Sequence, residues 1–217
     1  MSGGGATPRR AYVVDDDDAF RRSLVALLES AGWTVDAFAS GAAFAERSAA
    51  LDPGVVLLDL HLGGSSGLDL IERGGAAMER FAVVMMTGAG EVTTAVRSIK
   101  AGAVDFVEKP LAAAELLERL GTIETELAQR LESKAVEWAA LRRVESLSGR
   151  ERDVLERLLS GASNKLIARD LAISPRTVEM HRARMLGKLG TRTTAEALEI
   201  GRLAGMTPVA SGTPEPI

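Results

Sequence analysis

Two uninterrupted apolar runs, VVLL at Val55–Leu58 and AVVMM at Ala82–Met86, constrain the fold of this chain more than any other feature. A strand with one wet face alternates apolar and polar residues. A run without alternation must be covered on both faces, as in a parallel sheet flanked by helices. Three more short stretches, Ala11–Val14, Thr34–Phe38 and Asp105–Val107, complete five candidate strands. Amphipathic stretches at Ala19–Ser30, Gly41–Ala50, Leu68–Arg73 and Val92–Ala101 lie between them, and Gly32 and Gly102 stand where two of these helices should stop. The alternation predicts an α/β fold, a doubly wound five-stranded parallel sheet with its chemistry at the strands' carboxyl ends.

After Pro110 the texture changes. From Ala112 to about Arg143 there is no proline and one glycine, with Leu116, Leu120, Ile123, Leu127 and Leu131 at spacings of three and four, then Trp138 and Leu141. This is a long helix whose first half either packs on a partner helix or lies on its own domain. Its second half runs past a compact domain and reads as a linker able to dimerise. Leu147 to about Ala204 is an all-helical block, and TPVASGTPEPI has the composition of a flexible tail. The expected division is a flexible start over 1–9, an α/β domain over 10–120, a linker helix over 121–146, a four-helix domain over 147–206 and a tail over 207–217.

Composition narrows the function. The chain has no cysteine, which removes disulfides, thiolate metal sites and Cys nucleophiles. No stretch reaches the roughly 18 apolar residues that span a bilayer, and MSGGGATPRR has no apolar core of a secretion signal. A cytoplasmic protein without membrane contact is expected. The net charge of -4 hides an asymmetry: from Arg142 onward there are 13 basic against 9 acidic residues, so the front half carries the acid excess. Any nucleic-acid contact belongs to the back half.

Five residues stand at predicted strand ends: Asp15 and Asp16 after the first, Asp59 at the third, Thr87 at the fourth and Lys109 at the fifth. A parallel sheet gathers these ends on one edge. Three converging carboxylates repel unless a hard divalent cation shares them, and Mg2+ suits oxygen ligands that leave room for water. A hydroxyl and an ammonium beside that cation make a place for a phosphoryl group. Taken singly, DDDD at 15–18 reads equally as a solvated charge run or a helix cap, and Asp59 as a turn residue.

Together these residues resemble the receiver domain of two-component response regulators, over about Arg10 to Leu120. The resemblance implies a flavodoxin-like fold and Asp59 as the acceptor of phosphate from a histidine kinase. It further implies Mg2+ held by Asp16 directly, Asp15 through water, Asp59 and the His61 carbonyl. Lys109 would pair with the phosphate, Thr87 would hydrogen-bond it, and Phe106 would be the switch aromatic. One departure stands out: the family usually has proline four residues after the acceptor, whereas DLHLGGSSG places Gly63 there, so a looser loop is expected.

In the back half, Gly161 ends an amphipathic stretch at Arg150–Ser160, Ser163 or Asn164 caps a short helix to about Leu171, and Ala172-Ile173 forms a tight turn. Ser174 and Pro175 then open a helix to about Leu189. Two helices joined this closely form a helix-turn-helix. On a helical wheel Val178, Met185 and Leu189 share the inner stripe, with Arg176, Met180, Ala183 and Gly187 opposite. Arg182, Arg184, Lys188 and Arg192 add to Arg176 around a face bearing one acid, Glu179. The segment LSGRERDVLERLLSGASNKLIARDLAISPRTVEMHRARMLGKL resembles the LuxR-type DNA-binding domain, with Gly149 where many members have proline. The resemblance implies that Glu179, Met180 and Ala183 face bases; the wheel places Arg184 on the flank of that face, as a further DNA-binding candidate. Lys165, Arg176, Thr177, His181 and Lys188 would hold the backbone, and the helix from Thr194 to about Leu203 would be a dimer contact.

The pairing of the two domains resembles the FixJ/NarL response regulators. It implies a transcriptional regulator and not an enzyme, switched at Asp59 and acting with a histidine kinase, double-stranded DNA and a second copy of itself on a palindromic operator. A phosphoaspartyl enzyme would want an acid where His61 stands, and a constitutive regulator would not need the complete acidic set.

Overall fold

The structure is a computed structural model that describes residues 9–88, 92–110 and 112–209. The expected flexible ends fall, apart from residues 9 and 207–209, outside the described residues. The chain forms two compact units that meet between Leu131 and Glu132.

In the first unit β1 (Arg10–Val14), β2 (Thr34–Phe38) and β3 (Gly54–Asp59) are followed by a small antiparallel pair, β4 (His61–Leu62) and β5 (Ser65–Ser66), and then β6 (Phe81–Thr87) and β7 (Asp105–Glu108). The five long strands make a parallel sheet in the order β2-β1-β3-β6-β7. Helices α1 (Asp18–Ser30), α2 (Gly41–Ser48), α3 (Gly67–Gly74) and α4 (Val92–Ala101) lie between strands. The expected flavodoxin-like architecture is what forms, with element ends shifted by one or two residues.

Strand periodicity divides the core into two layers. Tyr12, Val14, Val56, Leu58, Val83 and Met85 face Phe38, Phe44, Leu68 and Ile71. Ala11, Val13, Val55, Leu57, Val84 and Met86 face Leu24, Leu28 and Trp33. Met85 and Met86 thus fill opposite layers, and the runs without alternation are apolar because each residue meets a covered face.

The long helix α5 (Ala113–Glu145) revises the expected linker. Leu116, Leu120, Ile123 and Leu127 are buried in the second layer and Leu131 packs against it, so the receiver-side helix continues eleven residues beyond the expected boundary. Arg130 donates to the carbonyls of Glu79 and Phe81 at 3.2 and 3.0 Å, tying the same stretch down. At the other end Ala140 and Val144 are buried in the second unit. Between these stretches Val136 and Trp138 are exposed.

The second unit adds α6 (Gly149–Leu159), α7 (Asn164–Asp170), α8 (Pro175–Leu189) and α9 (Thr194–Leu203). Ser148, Ser163, Ser174 and Thr193 cap their starts, so proline at position 149 is not needed: Ser148 and Glu151 form a full capping box. Val154, Leu155, Ile167, Val178, Met185, Leu189 and Ala197 form the core. The turn between α7 and α8 places Ala172 at φ 55, a left-handed conformation for which glycine would be the easier choice.

Leu120→Ala is expected to destabilise the first unit by about 2–5 kcal/mol. In calorimetry the transition of the second unit should stay where it is; an unchanged first transition would show that this part of α5 is not core.

Candidate functional site: a carboxylate cluster and a helix-turn-helix face

Register alone assembles the first site. Val14 pairs with Leu58, so Asp15 and Asp59 emerge level from adjacent strands. Asp59 pairs with Met86 and Thr87 with Glu108, which brings Thr87 and then Lys109 to the same edge. Lys109 Nζ donates to Asp15 Oδ2 and to Asp59 Oδ1, each at 2.7 Å. Asp15 Oδ1 accepts the Asp17 N–H at 2.9 Å, and Asp59 Oδ2 accepts the His61 N–H at 3.2 Å. Asp15, Asp59 and Thr87 are buried, whereas Asp16 is exposed.

Burial pushes the Asp59 carboxyl above the ordinary aspartate value, Lys109 pulls it back, and the Asp15 charge adds to the rise. Burial would lower the Lys109 ammonium, but the two carboxylates outweigh it and hold it above its ordinary value. Carboxylate oxygens of Asp15, Asp16 and Asp59 lie within 4.8 Å of one another. Three negative charges against one ammonium leave an excess of about two, which fits a hard divalent cation with oxygen ligands.

The four aspartates at 15–18 have separate roles. Asp17 caps α1, and its carboxyl is held below the ordinary value by the N–H groups of Phe20 and Ala19. Asp18 pairs with Arg21 and Arg22. The loop after Asp59 is not loose. His61 pairs with Ser66 and Leu62 with Ser65 across Gly63 at φ 49 and Gly64 at φ 106. Positive φ at both central residues is what a two-residue hairpin turn needs, so two glycines give order where the expectation was slack. A Cβ on Gly63 would stand 3.2 Å from Asp16 Oδ2.

Val96 and Ile99 on α4, Val104 just before β7 and Phe106 on β7 expose apolar side chains, with Phe106 38% exposed.

On α8, Val178, Met185 and Leu189 are buried, while Arg176, Glu179, Met180, Ala183, Arg184 and Gly187 are exposed; Lys165 is exposed on α7. Thr177 is half-buried, its hydroxyl 2.8 Å from that of Ser174. His181 is half-buried and its Nδ1 is enclosed without a hydrogen-bond partner. Two cations of the predicted face are engaged inside the unit. Arg182 donates to Thr194 Oγ1 at 2.5 Å, and Lys188 Nζ to Glu151 Oε2 at 2.7 Å. Burial would raise Glu151, but Lys188 and the Ser148 N–H hold its carboxyl below the ordinary value. Glu151 escaped the sequence reading although Ser148-x-x-Glu151 is a visible capping-box signature.

Residues 11–121 match the response regulator receiver domain, and residues 145–200 match the bacterial regulatory proteins of the luxR family. The transcriptional regulatory protein FixJ of Azorhizobium caulinodans is 40% identical, over 94% of this chain and 96% of its own. The crystal structure of full-length FixJ from B. japonicum is similar at 40% identity and a TM-score of 0.57, over 93% of this chain and 99% of that one. The low-resolution structure of the response regulator StyR is similar at 32% identity and a TM-score of 0.79, over 90% of this chain and 99% of that one.

Arg176→Ala should reduce the slope of log affinity against log salt by about one, the loss of one phosphate contact. Lys188→Gln should lower the thermal midpoint of the second unit and leave that slope unchanged. A slope that falls with Lys188→Gln would show that the lysine leaves Glu151 for the DNA.

Proposed function

Because the chain belongs to the two-component response regulators that join a receiver to a luxR-type DNA-binding domain, we propose that it is switched by phosphorylation of Asp59. The observation that carries this reading is the Lys109 ammonium held between Asp15 and Asp59, on a residue whose backbone N–H donates to the Thr87 carbonyl at 2.8 Å. An Asp59 oxygen attacks the phosphorus of a phosphohistidine on the partner kinase; the P–N bond breaks and its electron pair leaves with the imidazole. Lys109 pairs with one phosphoryl oxygen and the Thr87 hydroxyl donates to another. Asp16, Asp59, the His61 carbonyl and, through water, Asp15 would hold Mg2+, which supplies positive charge against the phosphoryl oxygens. The protein takes one phosphoryl group per switching event, and so acts as a cytoplasmic regulator and not as a turnover enzyme.

Movement of Thr87 toward the phosphate frees space for the Phe106 ring to turn inward, which reshapes the apolar surface of Val96, Ile99, Val104 and Phe106. That surface suits a second copy of the chain. A dimer presents two α8 helices, with Glu179, Met180 and Ala183 toward base edges and Lys165, Arg176, Thr177, His181 and Arg184 toward their surroundings, so the operator is palindromic.

Intact mass after incubation with Mg2+ and acetyl phosphate tests the switch. One phosphoryl adduct is expected on wild type and none on Asp59→Asn; an adduct on both would move the acceptor elsewhere. Ile99→Asp should take up phosphate at the wild-type rate yet stay monomeric in sedimentation, where wild type dimerises. A dimer in that variant would exclude the α4–β7 face.

A further inference from the structure

The Lys109 ammonium has a third neighbour that belongs to neither carboxylate. Its Nζ lies 4.2 Å from the centre of the Phe20 ring, over the ring face. Phe20 is half-buried on the first turn of α1, and that turn is fastened to the acidic loop at several points. The Phe20 N–H donates to Asp17 Oδ1 at 3.1 Å, and Arg21 donates to the Asp15 carbonyl at 2.6 Å. The ring is therefore fixed relative to the carboxylates, whereas Lys109 carries its charge on a flexible four-carbon stem.

We propose that Phe20 is a positioning residue for Lys109: the ring face holds the ammonium at the acceptor edge and so sets the rate at which Asp59 takes up a phosphoryl group. The role rests on Asp59 being the acceptor. Phosphoryl transfer places a new group between Lys109 and Asp59, so the hydrogen bond to Asp59 is given up as the reaction proceeds. The attraction between an ammonium and an aromatic face does not depend on the state of Asp59, and it persists while the carboxylate contact is exchanged for a phosphate contact. A ring also fills its place with apolar surface, which keeps the ammonium from being fully hydrated away from the site. Leucine or methionine would fill similar space without the electron-rich face, and tyrosine would keep that face.

The experiment compares full-chain wild type, Phe20→Leu, Phe20→Met and Phe20→Tyr. The first readout is the rate of phosphoryl adduct formation by intact mass in Mg2+ and acetyl phosphate. The second is the NMR shift of the Lys109 ε-methylene protons, which a ring face moves upfield. Phe20→Leu and Phe20→Met should both lose the upfield shift and form the adduct about three- to tenfold more slowly, with thermal midpoints near wild type. Phe20→Tyr should restore both. Wild-type rates in the two ringless variants, or a Phe20→Tyr as slow as they are, would overturn the proposal. If wild type itself takes no adduct, the reading of Asp59 fails and the role in phosphoryl uptake falls with it. That result is distinct from an adduct forming at equal rates in all four proteins.

Discussion

The Lys109 ammonium, 2.7 Å from Asp15 and from Asp59, is the interaction on which the front unit's chemistry depends. Two buried carboxylates on adjacent strands would repel across a short gap, and one of them would be protonated without a nearby cation. The lysine directly follows β7, two strands away from β3, so the pair forms only when β1, β3, β6 and β7 are in register. A slip of one residue in β1 or β3 would turn a site acid away from the cluster and bring an apolar side chain in its place. The covered, apolar strands thus fix the register, and the register fixes the charges.

Helix α5 shows how one apolar spacing can serve two cores. Leu116 to Leu127 continue the receiver layer, while Ala140 and Val144 complete the layer under α6 and α8. The stripe is nearly continuous in sequence, and nothing in its period marks where one core ends. The boundary is set by what lies beside the helix: Arg130 donates to the Glu79 and Phe81 carbonyls at the start of β6, and the first unit ends at Leu131. Exposed Trp138 and Val136 mark that interval.

The sheet, the strand-end acids and the helix-turn-helix were legible because each follows from periodicity or from residue type at an element's end. Val178, Met185 and Leu189 are buried as the wheel requires, and Ser174 with Pro175 opens α8. Most of what was not legible depended on partners distant in sequence. Lys188 looked like a free cation because Glu151, 37 residues earlier, went unread as its partner. Gly63 looked like slack because the missing proline was weighed without Gly64, although two adjacent glycines are the signature of a mirrored hairpin turn. The cation–ring contact of Phe20 with Lys109 spans the chain from the first helix to the last strand, and no local pattern announces it.

Each unit contains a lysine joined to buried carboxylate oxygen at 2.7 Å, and the two sites differ in charge balance. Glu151 receives Lys188 and the Ser148 N–H on the same oxygen, so one negative charge meets one positive charge and a cap is completed. Such a matched pair has nothing left to attract and serves structure, with one exposed cation of α8 engaged inside the unit. At the sheet edge one lysine faces three carboxylates, with Asp16 exposed to solvent. That excess of negative charge is what a hard divalent cation would neutralise under the proposed function. The balance of charge, more than the presence of a buried ion pair, distinguishes the proposed switch site from the structural pair.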